Sequence, residues 1–542
     1  MKQTFQNVKL LPLALEQGAS SADATVIIDD EGNFEVVEYG EFPCNNADSS
    51  TASWNGKYIS PAFFDGHMHV LLFGSSLLKL DVEKCRSLAE IQDLIRREAV
   101  ARAEAPRVLC HGWIQDSTNQ LALASDLDGL DSKGRPIYIS AKDLHSTWCN
   151  TAALKEMDVQ DMPDPEGGTI HRDESGDPTG LLSEAASIGV VWPYLASVTS
   201  FEENLSYVRE AIRTYNVAGY TGMVELATEQ FVWDLLKHLK DKEPGNFTAR
   251  MACHWLIKPC DKVEDCLTQV DQAIELHKQY NLKTSPELRI TGIKLVLDGV
   301  IDACTAAISE PYNHKTIKGD MLWQTEHINA VVAHADRAGL QCALHAIGDR
   351  AVNTAVNAIE ANGTPGRRHR IEHLEITRPE DAVRLGQLGI TASIQPVHSD
   401  PAILRAWDKL LGKDRCRRAF AYSEFEKASA RLAIGTDAPT APHEPFPNLY
   451  VASTRKSARR DHGDEEDLNP INSIPPISRL SALLASTQGS AYSCFADEIT
   501  GSIESGKSAD FIVVEPTTEE IGFLGYKVKE TWFKGKLVWK DE

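Results

Sequence analysis

Eight short apolar segments recur along the chain, and amphipathic helical stretches separate most of them. Alternation of strand-sized segments with helices is typical of a parallel β-sheet whose crossovers are helical. Eight such units predict an α/β fold of the (β/α)8 TIM barrel type, in which the active site lies at the carboxyl ends of the strands. The segments are residues 58–69, 220–225, 248–257, 289–298, 340–345, 369–373, 390–395 and 431–437.

Strand-like segments also occur at both ends of the chain, outside the region of regular alternation. Each end is too short to bury a core alone, so we expect residues 1–57 and 485–542 to combine into one β-sandwich-like domain. The barrel domain is then predicted for residues 58–484. The irregular stretch of about 70–195 is predicted to be a large insertion after strand 1 that covers the active-site mouth.

Composition excludes several classes of partner. The chain has 542 residues and a net charge of −23, which repels phosphate backbones and anionic lipid, so we expect neither nucleic-acid nor membrane binding. No apolar run approaches the ~20 residues of a membrane span, and the amino terminus lacks a signal-peptide core. Eleven scattered cysteines indicate reduced thiols. These features predict a cytoplasmic protein whose partner is a small-molecule substrate, with a homodimer as an open alternative to a monomer.

His67 and His69 end the first segment. Side chains two residues apart on a strand point to the same face, so both imidazoles are expected to face one point. Imidazole nitrogen is the commonest protein ligand for zinc-like cations. Alone, the pair is more simply explained as two histidines at a strand edge.

Four further polar residues lie in or at the carboxyl ends of predicted strands: Lys294, His345, His373 and Asp437. Taken singly, Lys294 is compatible with a salt-bridged core lysine, and either histidine with a hydrogen-bonded core residue. Asp437 is compatible with a helix cap. Their joint placement at one end of the barrel favours a metal centre.

The motifs around these residues resemble the amidohydrolase superfamily, in its YtcJ-like branch, which includes N-substituted formamide deformylase. Two positions depart from the family pattern. Ala62 stands where glycine usually follows proline, and Val300-Ile-Asp302 replaces small residues at a place where substrate choice can change. The matching motifs are Pro61-Ala-Phe-Phe-Asp-Gly-His-Met-His, Lys294-Leu-Val-Leu-Asp-Gly, His345-Ala-Ile-Gly-Asp-Arg-Ala, Arg370-Ile-Glu-His, Gln395-Pro, Gly435-Thr-Asp-Ala-Pro and Gly501-Ser-Ile-Glu-Ser-Gly-Lys-Ser-Ala-Asp.

The resemblance implies a divalent-metal site, with zinc as the expected ion. His67, His69 and Asp437 are expected to hold one ion, and His345 and His373 a second. Lys294 is expected to bridge the two ions after carboxylation by carbon dioxide. A one-metal site without this modification remains the alternative.

The mechanism follows from the chemistry of such an ion. A zinc-type ion lowers the pKa of bound water from 15.7 to about 7 and polarises the scissile carbonyl. Asp437 is expected to accept the proton of that water as general base and to pass it to the leaving amine. The predicted catalytic residues are therefore Asp437, Lys294, His345 and His373.

The predicted substrate-binding residues are less directly supported by the sequence. Segments around Trp113, His145 and Trp148 resemble insertion segments that line the mouth in this branch, although the two tryptophans are equally compatible with packing inside the insertion. Asp298 and Gln395 are expected to contact the substrate from strand ends. Aromatic walls with a few polar groups suit an amide that bears an apolar substituent.

The sequence therefore predicts a metal-dependent hydrolase of carbon–nitrogen bonds other than peptide bonds, with N-formyl or N-acyl amines as the expected substrates. The alternatives are a deaminase, a cyclic-amide hydrolase or a lyase on the same scaffold. A catalytically silent relative with a regulatory role is the alternative outside the enzymes.

Overall fold

The chain folds into two compact units: Met1–Val70 together with Ile212–Glu542, and Leu71–Ala211. The second unit contains the region predicted as the insertion, and its proposed place over the active-site mouth stays a prediction. The computed structural model describes residues 2–17, 23–40, 51–54, 57–118, 122–141, 146–165, 167–313, 317–459, 469–470, 472–517 and 522–541.

An eight-stranded parallel sheet forms the barrel, and each strand pairs with the strand that follows it in this set. A parallel bridge between Met68 and Ala438 joins the first strand to the segment after the last. The predicted (β/α)8 fold class is thereby confirmed. The barrel strands are β1 (Phe63–Met68), β2 (Tyr220–Thr228), β3 (Arg250–Leu256), β4 (Leu288–Val296), β5 (Gln341–Ala346), β6 (Arg370–His373), β7 (Thr391–Ile394) and β8 (Leu432–Ile434).

Helices connect the barrel strands, and each buries an apolar stripe. Thr325–Arg337 buries Ile328, Val331, Val332 and Ala335, which share one helix face because they are three or four residues apart. The connecting helices are Phe201–Ala218, Gln230–Lys242, Val263–Gln279, Thr325–Arg337, Asp349–Asn362, Pro379–Gln387 and Tyr422–Lys427, and Pro445–Thr454 follows β8. Shorter helical segments are Leu11–Gln17, Trp407–Leu410, Lys413–Cys416, Arg479–Leu484, Ala485–Gly489 and Ser490–Ser493.

Both ends of the chain contribute to one mixed sheet. Its central joint is an antiparallel pairing in which Phe511 lies opposite Pro61 and Ile512 opposite Ser60. Tyr58–Pro61, which was predicted as the start of the barrel domain, is a strand of this sheet. The predicted domain boundaries stay predictions. The strands are Gln3–Leu10, Asp23–Ile28, Phe34–Tyr39, Thr51–Ser53, Tyr58–Pro61, Phe511–Pro516, Tyr526–Phe533 and Lys536–Lys540.

The unit Leu71–Ala211 has its own six-stranded sheet and its own apolar core. Trp113 and Trp148 lie inside this core, with ring centroids 5.3 Å apart. The strands are Leu80–Asp81, Val108–Trp113, Ile137–Ala141, Ser146–Cys149, Gly168–Arg172 and Pro178–Glu184. Helical segments in this part of the chain are Val70–Leu77, Leu88–Ala101, Gln115–Thr118, Ala124–Leu127, Thr151–Glu156, Ser187–Val191 and Trp192–Val198.

Two observations bear on the predicted environment of the protein. The cysteines that the structure describes are free thiols. Among the described helices, none is both long and apolar enough to cross a membrane.

Candidate metal centre

The ends of β1 and β8 bring three predicted ligands together. His67 lies in β1, His69 is the first residue after β1, and Asp437 lies three residues after the end of β8. The Asp437 Oδ1 atom lies 3.4 Å from His67 Nε2 and 3.0 Å from His69 Nε2. The i, i+2 spacing of the two histidines therefore places both rings against one carboxylate.

A buried hydrogen-bond network fixes this meeting point. The Asp65 carboxylate accepts from the backbone N–H groups of His67 and Thr436, from the Thr436 hydroxyl and from the Tyr215 hydroxyl. The N–H of Asp437 donates to the His67 carbonyl at 2.7 Å. Burial raises the pKa of Asp65 to about 6, and the four donors oppose that shift. The network joins β1 to β8 where their ligand side chains project.

His345 and His373, from β5 and β6, form the neighbouring pair. Their ring centroids are 4.3 Å apart, and the His373 ring lies 5.0 Å from that of His67. His373 has φ of 75°, in the left-handed region that non-glycine residues rarely adopt. Such backbone strain concentrates at functional sites, where the surrounding structure maintains it.

Lys294, in β4, lines the same cavity and is 2% exposed. Burial lowers the pKa of Lys294 to about 8. A larger fraction of this amine is therefore neutral at pH 7 than for an exposed lysine.

The residues fit a divalent cation. The candidate ligand atoms of His67, His373 and Asp437 all lie within 4.8 Å of one another. Two buried polar atoms, His373 Nδ1 and Asp437 Oδ1, make no well-aligned hydrogen bond among the described residues, although Asp437 Oδ1 has the histidine nitrogens of His67 and His69 within 3.4 Å. Burial lowers the pKa of His67 to about 4 and that of His345 to about 3, so both rings are neutral, which is the form that binds metal.

The charge of Asp437 also suits a cation. Burial alone raises the pKa of its carboxyl, but the adjacent imidazoles of His67 and His69 outweigh this effect and hold the pKa well below its usual range. Asp437 is therefore ionised at neutral pH. Together, a buried carboxylate and neutral imidazoles form the nitrogen and oxygen donor set that zinc prefers.

Two buried residues behind His67 were not given a role from the sequence. The Glu372 Oε2 atom lies 2.9 Å from His67 Nδ1, and Arg370 Nε donates to Glu372 Oε1 at 2.6 Å. Burial alone raises the pKa of Glu372, but the Arg370 guanidinium outweighs it and holds the pKa well below its ordinary value. Both residues stand in the Arg370-Ile-Glu-His motif, where the i, i+2 spacing was an available signal.

Glu375 and His398 were also missed by the sequence prediction. His398 Nδ1 lies 3.5 Å from Glu375 Oε1, and His398 Nε2 lies 3.7 Å from Asp437 Oδ2. The His398 ring stacks at 6.0 Å on His373. The available signal was position, because each residue follows a predicted strand-end residue within three positions.

A cavity of about 430 Å³ opens on these groups. Its remaining wall is mainly apolar, which suits an apolar part of a ligand. The lining residues are His67, His69, Ala227, Lys294, Val296, Val300, Ile301, Asp302, His345, Ile347, His373, Glu375, His398, Ile403, Leu404, Trp407, Asp437 and Thr440.

Asp298 and Gln395, predicted to bind substrate, lie beside this centre and are almost fully buried. The Asp298 carboxylate accepts hydrogen bonds from the N–H groups of Ala307, Ile347 and Gly348. Burial raises the pKa of Asp298 to about 7. Gln395 Nε2 lies 3.3 Å from His67 Nδ1. Asp298 thus binds the backbone that follows β5, and Gln395 contacts one proposed ligand, while direct contact with substrate stays a prediction for each.

The predicted aromatic walls lie in the unit Leu71–Ala211. Trp113 and Trp148 are 1% and 0% exposed, and the Trp148 indole N–H donates to the Leu123 carbonyl. These contacts account for both rings as core residues of that unit, so a role in substrate binding stays a prediction. His145 lies outside the described residues.

Comparison with known proteins decides the family. The sequence matches the Amidohydrolase family over residues 54–539. The chain belongs to the amidohydrolase family. The family predicted from the motifs, including its YtcJ-like branch, is confirmed. Membership of this family supports hydrolase activity for the protein.

Curated relatives match along most of the amidohydrolase. The LONG AFTER FAR-RED 3 protein of Arabidopsis thaliana is 30% identical and covers 85% of this chain and 78% of its own. The YtcJ amidohydrolase of Bacillus subtilis (strain 168) is 27% identical and covers 95% and 94%. The N-substituted formamide deformylase of Arthrobacter pascens is 22% identical and covers 86% and 85%.

Solved structures support the fold of this amidohydrolase. An uncharacterised metal-dependent hydrolase from Pyrococcus horikoshii superposes with a TM-score of 0.77 at 21% identity, covering 96% of this chain and 99% of that one. At 21% identity, this superposition shows that the two proteins share a fold. The terminal sheet and the barrel are therefore both part of a known architecture.

Proposed function

We propose that this amidohydrolase hydrolyses a carbon–nitrogen bond other than a peptide bond, in an N-formyl or N-acyl amine. The observation that carries the proposal is the convergence of His67, His373 and Asp437 on one cavity, where their candidate ligand atoms lie within 4.8 Å of one another. Further support comes from the relative that is named an N-substituted formamide deformylase.

We propose Zn²⁺ as the cofactor, in one or two copies. His67, His69 and Asp437 would hold the first ion, and His345 and His373 the second. Lys294 would bridge the two after its neutral amine adds to carbon dioxide, which forms one N–C bond and releases one proton. Support for this step is the buried, partly neutral amine at the cavity.

The chain's own residues would perform the remaining chemistry. When bound, the ion supplies an activated water at neutral pH and polarises the scissile carbonyl. Asp437, which is ionised and faces the cavity, would accept the water proton and return it to the leaving nitrogen. One C–O bond forms and one C–N bond breaks, which yields a carboxylic acid and an amine.

The wall of the cavity would bind the organic part of the substrate. Val296, Ile347, Leu404 and Trp407 line it and are apolar. Burial of an apolar substituent against them would orient the amide and exclude competing water. The proposed partner is thus a small molecule, and we propose the cytoplasm as the place where the enzyme meets it.

The test is a substrate screen with zinc-loaded protein. N-Benzylformamide, N-acetylbenzylamine, an N-acyl amino acid, a cyclic amide and an aminated heterocycle would be compared by amine, acid and ammonia release. We expect formate and benzylamine from the first substrate. Ammonia from the heterocycle alone would instead indicate a deaminase.

Matched variants separate the metal centre from the rest of the fold. His67→Asn is expected to abolish both zinc retention and hydrolysis, whereas His327→Asn, on the helix Thr325–Arg337 and outside this cavity, is expected to keep both. A wild-type protein that retains no divalent metal after reconstitution and hydrolyses nothing would favour the silent regulatory relative.

A further inference from the structure

Acidic side chains outnumber lysine and arginine in the described lining of the cavity. Lys294 is the one lysine or arginine among the described lining residues. Once the proposed ligands are set aside, the titratable groups that remain are Asp302, Glu375 and His398, and the last two lie against each other. Beyond the proposed ligands, the described lining therefore has no lysine or arginine, and Asp302 is the carboxylate that has no histidine paired with it.

The two acids differ in their surroundings. Glu375 is buried and lies against His398, with 3.5 Å between Oε1 and Nδ1. Asp302 is exposed at the cavity, and its Oδ2 atom accepts a hydrogen bond of 3.4 Å from the Trp407 indole N–H. An indole N–H is a neutral donor, so it positions the Asp302 carboxylate without neutralising its charge.

The indole that donates to Asp302 is itself held by packing. Trp407 is 2% exposed and stacks on Phe420 with ring centroids 5.0 Å apart. A buried, stacked indole has little rotational freedom, so the donor that holds Asp302 is itself fixed. Asp302 also belongs to Val300-Ile-Asp302, where the sequence departs from the small residues of the family pattern.

Apolar side chains surround the acid on the same wall. Val300 is 44% exposed and Ile403 is 38% exposed, and both line the cavity together with Ile301 and Leu404. Exposed aliphatic groups beside one carboxylate suit a ligand that has an apolar body and a cationic end.

We propose that Asp302 forms a cation subsite, and that the substrate is an amide whose amine part carries a second, positively charged nitrogen beyond an apolar spacer. The inference rests on the proposed hydrolysis of amides and names the class of amide. The second nitrogen pairs with Asp302, while the spacer lies against Val300, Ile301 and Leu404. The same carboxylate repels a substrate that ends in an acid, so it also provides discrimination.

Three formamides of one shape test the charge preference. They are N-benzylformamide and its para-aminomethyl and para-carboxyl derivatives, compared by kcat/KM with zinc-loaded enzyme. We expect the aminomethyl compound to exceed the neutral one, and the carboxyl compound to fall below it. A preference from an exposed ion pair decreases as salt is added.

Asp302→Asn separates charge from structure, because the asparagine oxygen still accepts the indole hydrogen bond. We expect this variant to lower the ratio of kcat/KM for the aminomethyl over the neutral substrate about tenfold, which is the change that ~1.4 kcal/mol produces. Asp302→Lys is expected to invert the order of the two charged substrates. The control is Asp320→Asn, an exposed acid outside the cavity lining, which is expected to keep the wild-type ratio.

A binding measurement keeps this inference distinct from the proposed reaction. Calorimetry with benzylamine, 4-(aminomethyl)benzylamine and 4-(aminomethyl)benzoate reports the same preference without turnover. If no formamide is hydrolysed but the diamine binds most tightly and loses that advantage in Asp302→Asn, the proposed reaction fails and the subsite stands. Equal binding of the three ligands, or an order that Asp302→Asn leaves unchanged, would overturn the subsite.

Discussion

His67 Nδ1 lies 2.9 Å from Glu372 Oε2, and this buried contact orients the ring that faces Asp437. The pairing directs one ring nitrogen to the carboxylate and leaves Nε2 toward the cavity, 3.4 Å from Asp437 Oδ1. Arg370 holds the other Glu372 oxygen at 2.6 Å. Metal-binding histidines commonly use such a carboxylate to fix the tautomer and the ring orientation.

Glu372→Gln is expected to weaken metal binding about 10- to 100-fold, the usual effect of losing such a supporting group. It also leaves the buried Arg370 guanidinium with only neutral partners, the Gly66 carbonyl and the Ser393 and Ser493 hydroxyls, in addition to the new amide. The loss of the counter-charge is expected to lower the free energy of unfolding by about 3–5 kcal/mol. Competition with a chromogenic chelator and denaturant unfolding would measure the two effects. Glu372→Asp keeps the charge and serves if the first variant fails to fold. Unchanged metal affinity in a folded Glu372→Gln protein would contradict this role.

Asp437→Asn is expected to keep much of its metal but to lower kcat about 10²- to 10⁴-fold, the range of general-base contributions. The amide oxygen can still act as a neutral ligand, but it cannot accept the water proton. Metal analysis and steady-state kinetics on the same preparation separate the two roles, with Asp320→Asn as the control. Full turnover in Asp437→Asn would remove Asp437 from the role of base.

Lys294→Ala is expected to lose the second metal and most activity, and a short-chain carboxylic acid added to the assay is expected to restore part of both. The reason is that a carboxylate that diffuses into the space of the lost side chain supplies the two bridging oxygens of the proposed carbamate. In the wild-type protein, ¹³C-labelled bicarbonate is expected to give one slowly exchanging carbamate resonance. Absence of both the resonance and the rescue would favour a site without the modification.

The sequence predicted the barrel because local pattern determines its parts. Strands β1–β8 all overlap the apolar segments predicted for them, since parallel strands buried on both faces appear in the sequence as continuous apolar runs. The proximity of His67, His345, His373 and Asp437 followed from the same reasoning, because the carboxyl ends of barrel strands meet at one face.

The supporting contacts could not be predicted in this way, because each joins residues far apart in the chain. Asp65 binds Tyr215 and Thr436, which follow it by 150 and 371 residues. No periodicity in a single sequence indicates which buried polar groups will pair. The pairing of Phe511 with Pro61 in the terminal sheet is of the same kind, so the sequence predicted that both ends associate but not their order in one sheet.

Tyr215→Phe tests whether the closure of the barrel supports the metal centre. The Tyr215 hydroxyl donates to Asp65 Oδ2 at 2.9 Å and lies 3.1 Å from Thr436 Oγ1, so its removal takes one donor from a buried carboxylate. We expect the free energy of unfolding to fall by about 1–3 kcal/mol, the cost of an unsatisfied buried group.

Metal affinity is expected to fall in the same variant, because Asp65 also accepts from the backbone of His67 and of Thr436, next to Asp437. Denaturant unfolding and chelator competition give the two numbers. Tyr39→Phe is the control, since Tyr39 is 62% exposed and its loss of a hydroxyl is expected to change neither. A loss of stability without a loss of metal affinity would mean that the network closes the barrel but does not position the ligands.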